Sequence, residues 1–500
     1  MSNISTKKIS TKLKITGTPK STGACDLQSP LLSLAARHAD QYLTAIHERH
    51  VGALVSGDDL RRLLRRPLSE DGEESGQVID ELARAGLDGT TASQGPRYFG
   101  FVTGGSLRVA TAADWLVSAW DQNAQVYVMS PVASVIEEIA ADWLKDLLGF
   151  PVTWSVGFVT GAQMASFTSL LAARHHLLGG VGWDVERDGL FGAPPIDVVV
   201  SDESHRTIFT ALRMLGLGGE RLRRIETDGH GRMRVDRLAE ALRGAAEPCI
   251  VCAQVGNVNT GAADAVADIA SLAHERRAWL HVDGAFGLWA AVSPSLRHLV
   301  KGIEQADSVA TDGHKWLNVP YDSGIVFTAH RDSHQQALMV PVHYIQMTAG
   351  ERDPRAFTPD ESRRARGVPI YAALRSLGRK GVRELIERCC DCARRMADAL
   401  CRHAQVRLLN EVVLNQVLVQ FVPLAGDPRD EGEFTEKVVA GIQNEGTCWL
   451  GSTQWQGQRA ARISICNWAT TEHDIDRSAA AILGVIDGLN VVLGSAKPKT

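Results

Sequence analysis

Between residues 155 and 330, short apolar runs alternate with segments of helical periodicity, and no other feature restricts the fold of this chain as strongly. The runs fall at 156–159, 196–201, 249–255, 280–283, 306–311 and 325–328, with helical patterns over 167–178, 208–217 and 268–277 between them. Runs this short and this rich in Val and Ile read as strands buried on both faces. Strand–helix alternation of this kind predicts an α/β fold built on a doubly wound, mostly parallel sheet. Such sheets bind ligands at the carboxyl ends of their strands. Those ends are therefore where chemistry is expected.

The chain has 500 residues, more than one hydrophobic core organises, so further domains are expected. Residues 25–94 read as an N-terminal helical segment, 95–370 as the large domain and 371–490 as a smaller C-terminal α+β domain. Within the last, 381–403 predicts an amphipathic helix, and 417–422 and 461–466 predict strands. Residues 1–24 are rich in Lys, Ser and Thr and read as a disordered tail without a secretory core. A formal net charge of -5 gives no electrostatic case for nucleic acid or an anionic membrane. No apolar run reaches the length of about 18 residues that a membrane span needs. Nine cysteines without framework spacing suggest reduced thiols and a cytoplasmic setting. The one cluster, Cys389, Cys390 and Cys392, lies in a helical pattern without a second ligand pair, so packing is expected there and no metal.

Two strand ends carry the chemistry. The run 306–311 leads into Asp312-Gly313-His314-Lys315-Trp316, followed by a loop with Pro320 and Gly324. A lysine at a strand end, partly desolvated, loses its proton more readily and can form a Schiff base. Taken alone, Lys315 reads equally as a surface loop lysine. The preceding strand ends in Asp283, within His281-Val282-Asp283-Gly284-Ala285-Phe286-Gly287. A carboxylate there is placed to pair with the ring nitrogen of pyridoxal 5′-phosphate. An acid strand end followed by a His-Lys strand end is far more specific than either alone.

These two motifs closely resemble those of the group II pyridoxal-phosphate-dependent amino-acid decarboxylases, the family of the aromatic-amino-acid and glutamate decarboxylases. The resemblance covers about 95–476. It implies a fold-type-I enzyme with pyridoxal 5′-phosphate on Lys315, Asp283 at the ring nitrogen, and Ala285, Asp312 and His314 in the cofactor site. His205, after the strand 196–201, falls where the family stacks a histidine on the cofactor ring; by itself it reads as a helix cap. Gly161, Ala162 and Gln163 open a helix, and such an opening presents free N–H groups to a phosphate. The family commonly has Gly-Gly-Ser-Glu-Ala here, so the Gln163 amide would replace a serine hydroxyl. Asn257 stands near a family Gly-Thr-Thr and would hydrogen-bond near Asp283.

Tyr98 and Phe101 lie on the family's substrate-side loop, as pocket lining or as core. Arg462 is a candidate for the substrate carboxylate, or plain surface charge. Tyr344, in a polar stretch with few anchors running to about Arg366, falls on the tyrosine that in the family protonates the intermediate after decarboxylation; the alternative is a surface loop tyrosine. The reaction implied is α-decarboxylation of an L-amino acid, a small-molecule substrate, to the corresponding amine and CO2. A homodimer is implied too, with the active site at the interface and the N-terminal helices packed across it. Aminotransfer or oxidative deamination on the same scaffold, and a non-catalytic cofactor-binding relative, are the alternatives.

Overall fold

The apolar runs of 155–330 become one seven-stranded sheet. It comprises β1 (Ser155–Val159), β2 (Asp197–Ser201), β3 (Arg223–Ile225), β4 (Cys249–Gln254), β5 (Trp279–Asp283), β6 (Ser308–Asp312) and β7 (Gly324–Thr328). The computed structural model describes residues 29–340, 348, 350–424 and 431–495, and the side chains of these up to 491. The tail expected over 1–24 lies outside the described residues. Strand order is β1-β7-β6-β5-β4-β2-β3, with β7 antiparallel to both neighbours and every other pair parallel. The expectation of a mostly parallel sheet holds.

Helices cover both faces, and the pleat decides which side chain goes where. Val198 and Val200 pack with Leu170, Ile208 and Leu212 on one face, and Val199 packs with Val251, Leu280 and Ile269 on the other. Each such side chain, fully buried, contributes about 1.5–3 kcal/mol. The helices of this body are α4 (Arg108–Trp120), α5 (Pro131–Leu148), α6 (Ala162–Gly180), α7 (Val185–Asp188), α8 (Arg206–Met214), α9 (Val235–Arg243), α10 (Val266–Glu275) and α11 (Arg331–Gln336). α5 begins as its sequence suggests, with Ser130 at the cap position and Pro131 first, although the Ser130 hydroxyl makes no cap bond. α8 stops three residues before the expected Leu217, because Gly216 turns into the left-handed region at φ 75°.

The smaller sheet is wholly antiparallel, in the order β10-β11-β9-β8, from β8 (Val406–Leu408), β9 (Gln416–Phe421), β10 (Gly451–Trp455) and β11 (Gln458–Ser464). α12 (Gly367–Leu400), α13 (Glu431–Glu445) and α14 (Glu472–Ser495) accompany it. α12 starts well before the expected Gly381. Its backbone breaks at Gly378 (φ 61°, ψ 179°), so the regular pattern read from the sequence was only its second part. Cys389, Cys390 and Cys392 are buried on this second part.

Among the described residues, 29–45 and 55–89 form a separate small unit, with α1 (Pro30–Ala45), α2 (Gly57–Leu64) and α3 (Ser75–Gly89). Ser56 and Asp59 form a capping box that fixes the start of α2. α1 and α2 bury no residue within this chain. Among the described residues no helix is long and apolar enough to cross a membrane.

The stretch before Arg366 is not poor in anchors. Arg363 pairs with Glu137 at 2.6 Å, both almost fully buried, and donates to the carbonyls of Ala124 and Phe158. Asp353 accepts from the Tyr127 amide at 2.8 Å, and Arg352 lies over the Phe357 ring. Polar composition misled here because these charges are buried in pairs and against carbonyls, which periodicity does not register.

Candidate active site

β5 and β6 run side by side with Asp283 opposite Ala310, and their ends are laced together. Gly284 donates its N–H to the Ala310 carbonyl at 2.8 Å, and Asp312 donates to the Ala285 carbonyl at 3.0 Å. Past that lacing, the Asp312 carboxylate becomes a hub. One oxygen lies 2.9 Å from Lys315 Nζ; the other accepts the Ala162 N–H at 2.5 Å and lies 3.5 Å from His314 Nε2. The lysine, the histidine and the start of α6 therefore share one buried acid.

Burial by itself would lower the Lys315 pKa, but the charges of Asp312 and then Asp283 outweigh it and hold the amine above the ordinary lysine range. This corrects the expectation of a readily deprotonated lysine. A partner carboxylate at 2.9 Å favours the ammonium more than desolvation disfavours it. Asp283 is buried and accepts the Ala285 N–H at 3.0 Å. Burial raises its pKa, while His205 and Lys315 pull it down. His205 occupies the cap position of α8, its Nδ1 2.7 Å from Thr207 Oγ1, and burial keeps its pKa low. A neutral, flat imidazole thus faces a carboxylate and an ammonium.

Two glycines set the spacing. A Cβ on Gly324 would fall 2.4 Å from the backbone of Gly161, and one on Gly104 would fall 1.8 Å from the Lys315 carbonyl oxygen. The first lets β7 press against the turn that opens α6; the second lets 98–105 cross directly over the lysine loop. At that helix opening the Ala162 N–H is taken by Asp312, so the N–H groups of Gln163 and Met164 are the first-turn donors without a helical acceptor.

The remaining expected residues are placed less closely. Asn257 spends its carbonyl oxygen on its own turn, accepting from Asn259 N at 2.9 Å and Thr260 N at 3.2 Å, rather than bonding at Asp283; its buried Nδ2 has no partner among the described residues. Arg462, on β11, is largely buried, donates to the Val258 carbonyl at 3.2 Å and pairs with no carboxylate among the described residues. Tyr98 stacks on Trp449 at 5.1 Å, and burial pushes its phenol up to about 12. Phe101 stacks on Trp449 too, at 5.5 Å, yet is 68% exposed. Tyr344 lies outside the described residues.

The sequence matches the pyridoxal-dependent decarboxylase conserved domain over residues 58–422. The chain belongs to this family. An aromatic-L-amino-acid decarboxylase of Bacillus atrophaeus is 27% identical over 87% of this chain and 90% of its own length. An acidic amino acid decarboxylase of Homo sapiens is likewise 27% identical, over 76% of this chain and 74% of its own. In fold, the chain superposes on a crystal structure of Oryza sativa TDC with PLP and tryptamine at a TM-score of 0.86, with 23% identity, covering 94% of this chain and 99% of that one. As a family member the protein is a pyridoxal-phosphate-dependent amino-acid decarboxylase, a carboxy-lyase. Its residues fit the cofactor: a buried amine, an acid on the neighbouring strand end, a flat neutral ring, and a helix opening that glycine contact keeps clear.

Sequence reasoning passed over three residues of this decarboxylase site. Tyr321 stacks on His314 at 4.2 Å and takes a hydrogen bond from Thr103. Its nearness in sequence to Lys315 was the available signal. Asn318, at φ 54°, accepts from the amides of Gly105 and Trp468 and donates to the carbonyls of Trp316 and Cys466, bolting the lysine loop to two distant segments. Trp449 gave no signal, since only the fold brings it beside Tyr98.

Proposed function

We propose that this chain removes the α-carboxylate of an L-amino acid, giving the amine and CO2, with Lys315 carrying the cofactor. The buried Lys315–Asp312 pair beside Asp283 supports this most directly. When bound, pyridoxal 5′-phosphate supplies the sink for the electron pair of the breaking Cα–carboxylate bond. Lys315 Nζ is the attachment atom, and Asp312 with His314 orients it. Asp283 holds a proton at the ring nitrogen, and His205 covers one ring face. Gly161, Ala162 and Gln163 form the phosphate turn, chiefly through the free N–H groups of the α6 opening; Ala285 packs at the ring and Asn257 shapes its border. Arg462, a buried cation lacking a carboxylate, takes the substrate's carboxylate, and Tyr98 and Phe101 line the space for its side chain. Tyr344 returns a proton to Cα while water is kept out.

The enzyme acts as a homodimer in this reading. Trp115, Leu116 and Trp120 on α4, with Val132 and Val135 on α5, form an exposed apolar surface that a second copy would cover. Phe101, exposed beside the site, suits an interface there. A solution mass of one chain would remove the dimer. All eight described cysteines are free thiols, which supports a cytoplasmic setting; recovery with a secreted fraction would remove that.

The function is tested by measuring CO2 and amine over a panel of aromatic, acidic and branched L-amino acids, with Lys315→Ala alongside. The wild type should release both in equal amounts from at least one substrate, and the variant neither. A keto acid or aldehyde as main product, or a borohydride-fixed cofactor in Lys315→Ala, would overturn the reading.

A further inference from the structure

The C-terminal end of α5 and the break in α12 enclose two adjoining clefts of about 400 and 360 Å³, which share Asp146, Leu147 and Arg379. None of their lining residues belongs to the decarboxylase site. The first cleft adds Arg297, Lys380 and Arg383, while its one carboxylate, Asp146, is already paired with Arg379. Three cations are therefore in excess inside one concavity. In a chain of net charge -5 this is not a share of a generally basic surface. Lys380 has an exposed partner, Glu384 at 3.6 Å, outside the cleft lining. The side chains of Arg297 and Arg383 have no ion-pair or hydrogen-bond partner among the described residues, and Arg383 is half-buried. Two guanidinium forks so placed present donors to whatever enters.

The second cleft is different in kind. Trp143, Leu147, Leu374 and Val382 give it an apolar wall. Trp143 stacks one ring face on Tyr371, at 4.9 Å and 15°, and Tyr371 is fixed in turn by a 3.0 Å bond from Arg375. The indole remains 37% exposed. A rigid aromatic face thus lies next to a cationic concavity, and the two are continuous through Leu147.

We propose that the joined clefts are a peripheral binding site for an aryl phosphate monoester, its phosphate between Arg297, Lys380 and Arg383 and its ring against Trp143. A dianionic, tetrahedral group matches the excess charge and the guanidinium forks better than a single carboxylate does. A flat ring matches Trp143. Arg379 and Asp146, paired with each other, line both parts at their junction.

Calorimetric titration of the holoenzyme, freed of excess cofactor by gel filtration, with phenyl phosphate and separately with inorganic phosphate tests this. The expected result is one saturable site per chain, weakened at least about tenfold by Arg297→Glu with Arg383→Glu. The milder Arg297→Gln and Arg383→Gln variants should each weaken it severalfold, which keeps the test open should the double reversal misfold. Trp143→Ala should weaken phenyl phosphate about tenfold and leave inorganic phosphate unchanged. No saturable binding to the wild type, or binding indifferent to the arginine changes, overturns the site. Equal loss of both ligands in Trp143→Ala overturns the aryl assignment.

Discussion

At the scale of single residues, Lys315 sits under two carboxylates with different duties. Asp312 touches the amine and holds it charged; Asp283 acts on it only through space and waits on the next strand end. That division keeps the Asp283 carboxylate available to a ring nitrogen while the lysine stays aimed. The proton that finishes the reaction must come from elsewhere, and Tyr344 is our assignment. Tyr344→Phe keeps the ring and its packing and removes only the hydroxyl. CO2 release should continue at least in part, while dioxygen competes for the electron pair left at Cα. The amine-to-CO2 ratio should fall in air, with aldehyde, ammonia and peroxide appearing, and should recover under argon. A ratio equal to wild type in both gases would mean that Tyr344 only helps to close the site. Lys315, Asp283 and His205 could be singled out because Asp283 ends a strand and the other two follow one within four residues, each with a recognisable side chain. Tyr321 and Trp449 were not, since a stacking partner is defined by contact and leaves no mark in local spacing.

At the scale of elements, β7 decides the shape of the cofactor end. The connection 313–323 holds Lys315 and no helix, and a parallel return needs a longer crossover, so β7 runs antiparallel between β6 and β1. The strand itself was visible in 325–328, whereas its direction followed only from the missing crossover. α12 shows the converse: its periodic part was visible, and the residues before Gly378 were not, because one left-handed residue shifts the helical phase. The direction of β7 brings Gly324 against Gly161, where a methyl group would meet backbone at 2.4 Å. Gly324→Ala should therefore displace the opening of α6. Overpacking of this kind costs about 1–3 kcal/mol, so the variant should fold, melt lower and bind cofactor about tenfold more weakly. Cofactor affinity equal to wild type, measured by titrating the apoenzyme, would show that this contact does not shape the phosphate turn.

At the scale of the whole molecule, stability should depend on pH through groups that catalysis does not use. His281 and His334 are both buried, and burial lowers each to about 3. Their unfolded counterparts take up protons near 6.5, so between about 6.5 and 3 the unfolded state binds more protons and acid favours unfolding. Asp264 has the opposite sign. Burial raises it to about 6, against the amides of Met233 and Gln254 that it accepts, so between about 6 and 3.8 the folded state binds the extra proton and acid favours folding. Each group contributes about 1.4 kcal/mol per pH unit within its window. From pH 7 to pH 5 the histidines together remove roughly 4 kcal/mol and Asp264 returns roughly 1.4, a net loss on the order of 2–3 kcal/mol. Urea unfolding of the wild type at the two pH values should show that loss. A variant carrying His281→Asn and His334→Asn should start less stable, because two packed rings are gone, but should lose markedly less on acidification than the wild type. If wild type and double variant lost the same amount between pH 7 and pH 5, the acid sensitivity would belong to other groups and the two buried imidazoles would be exonerated.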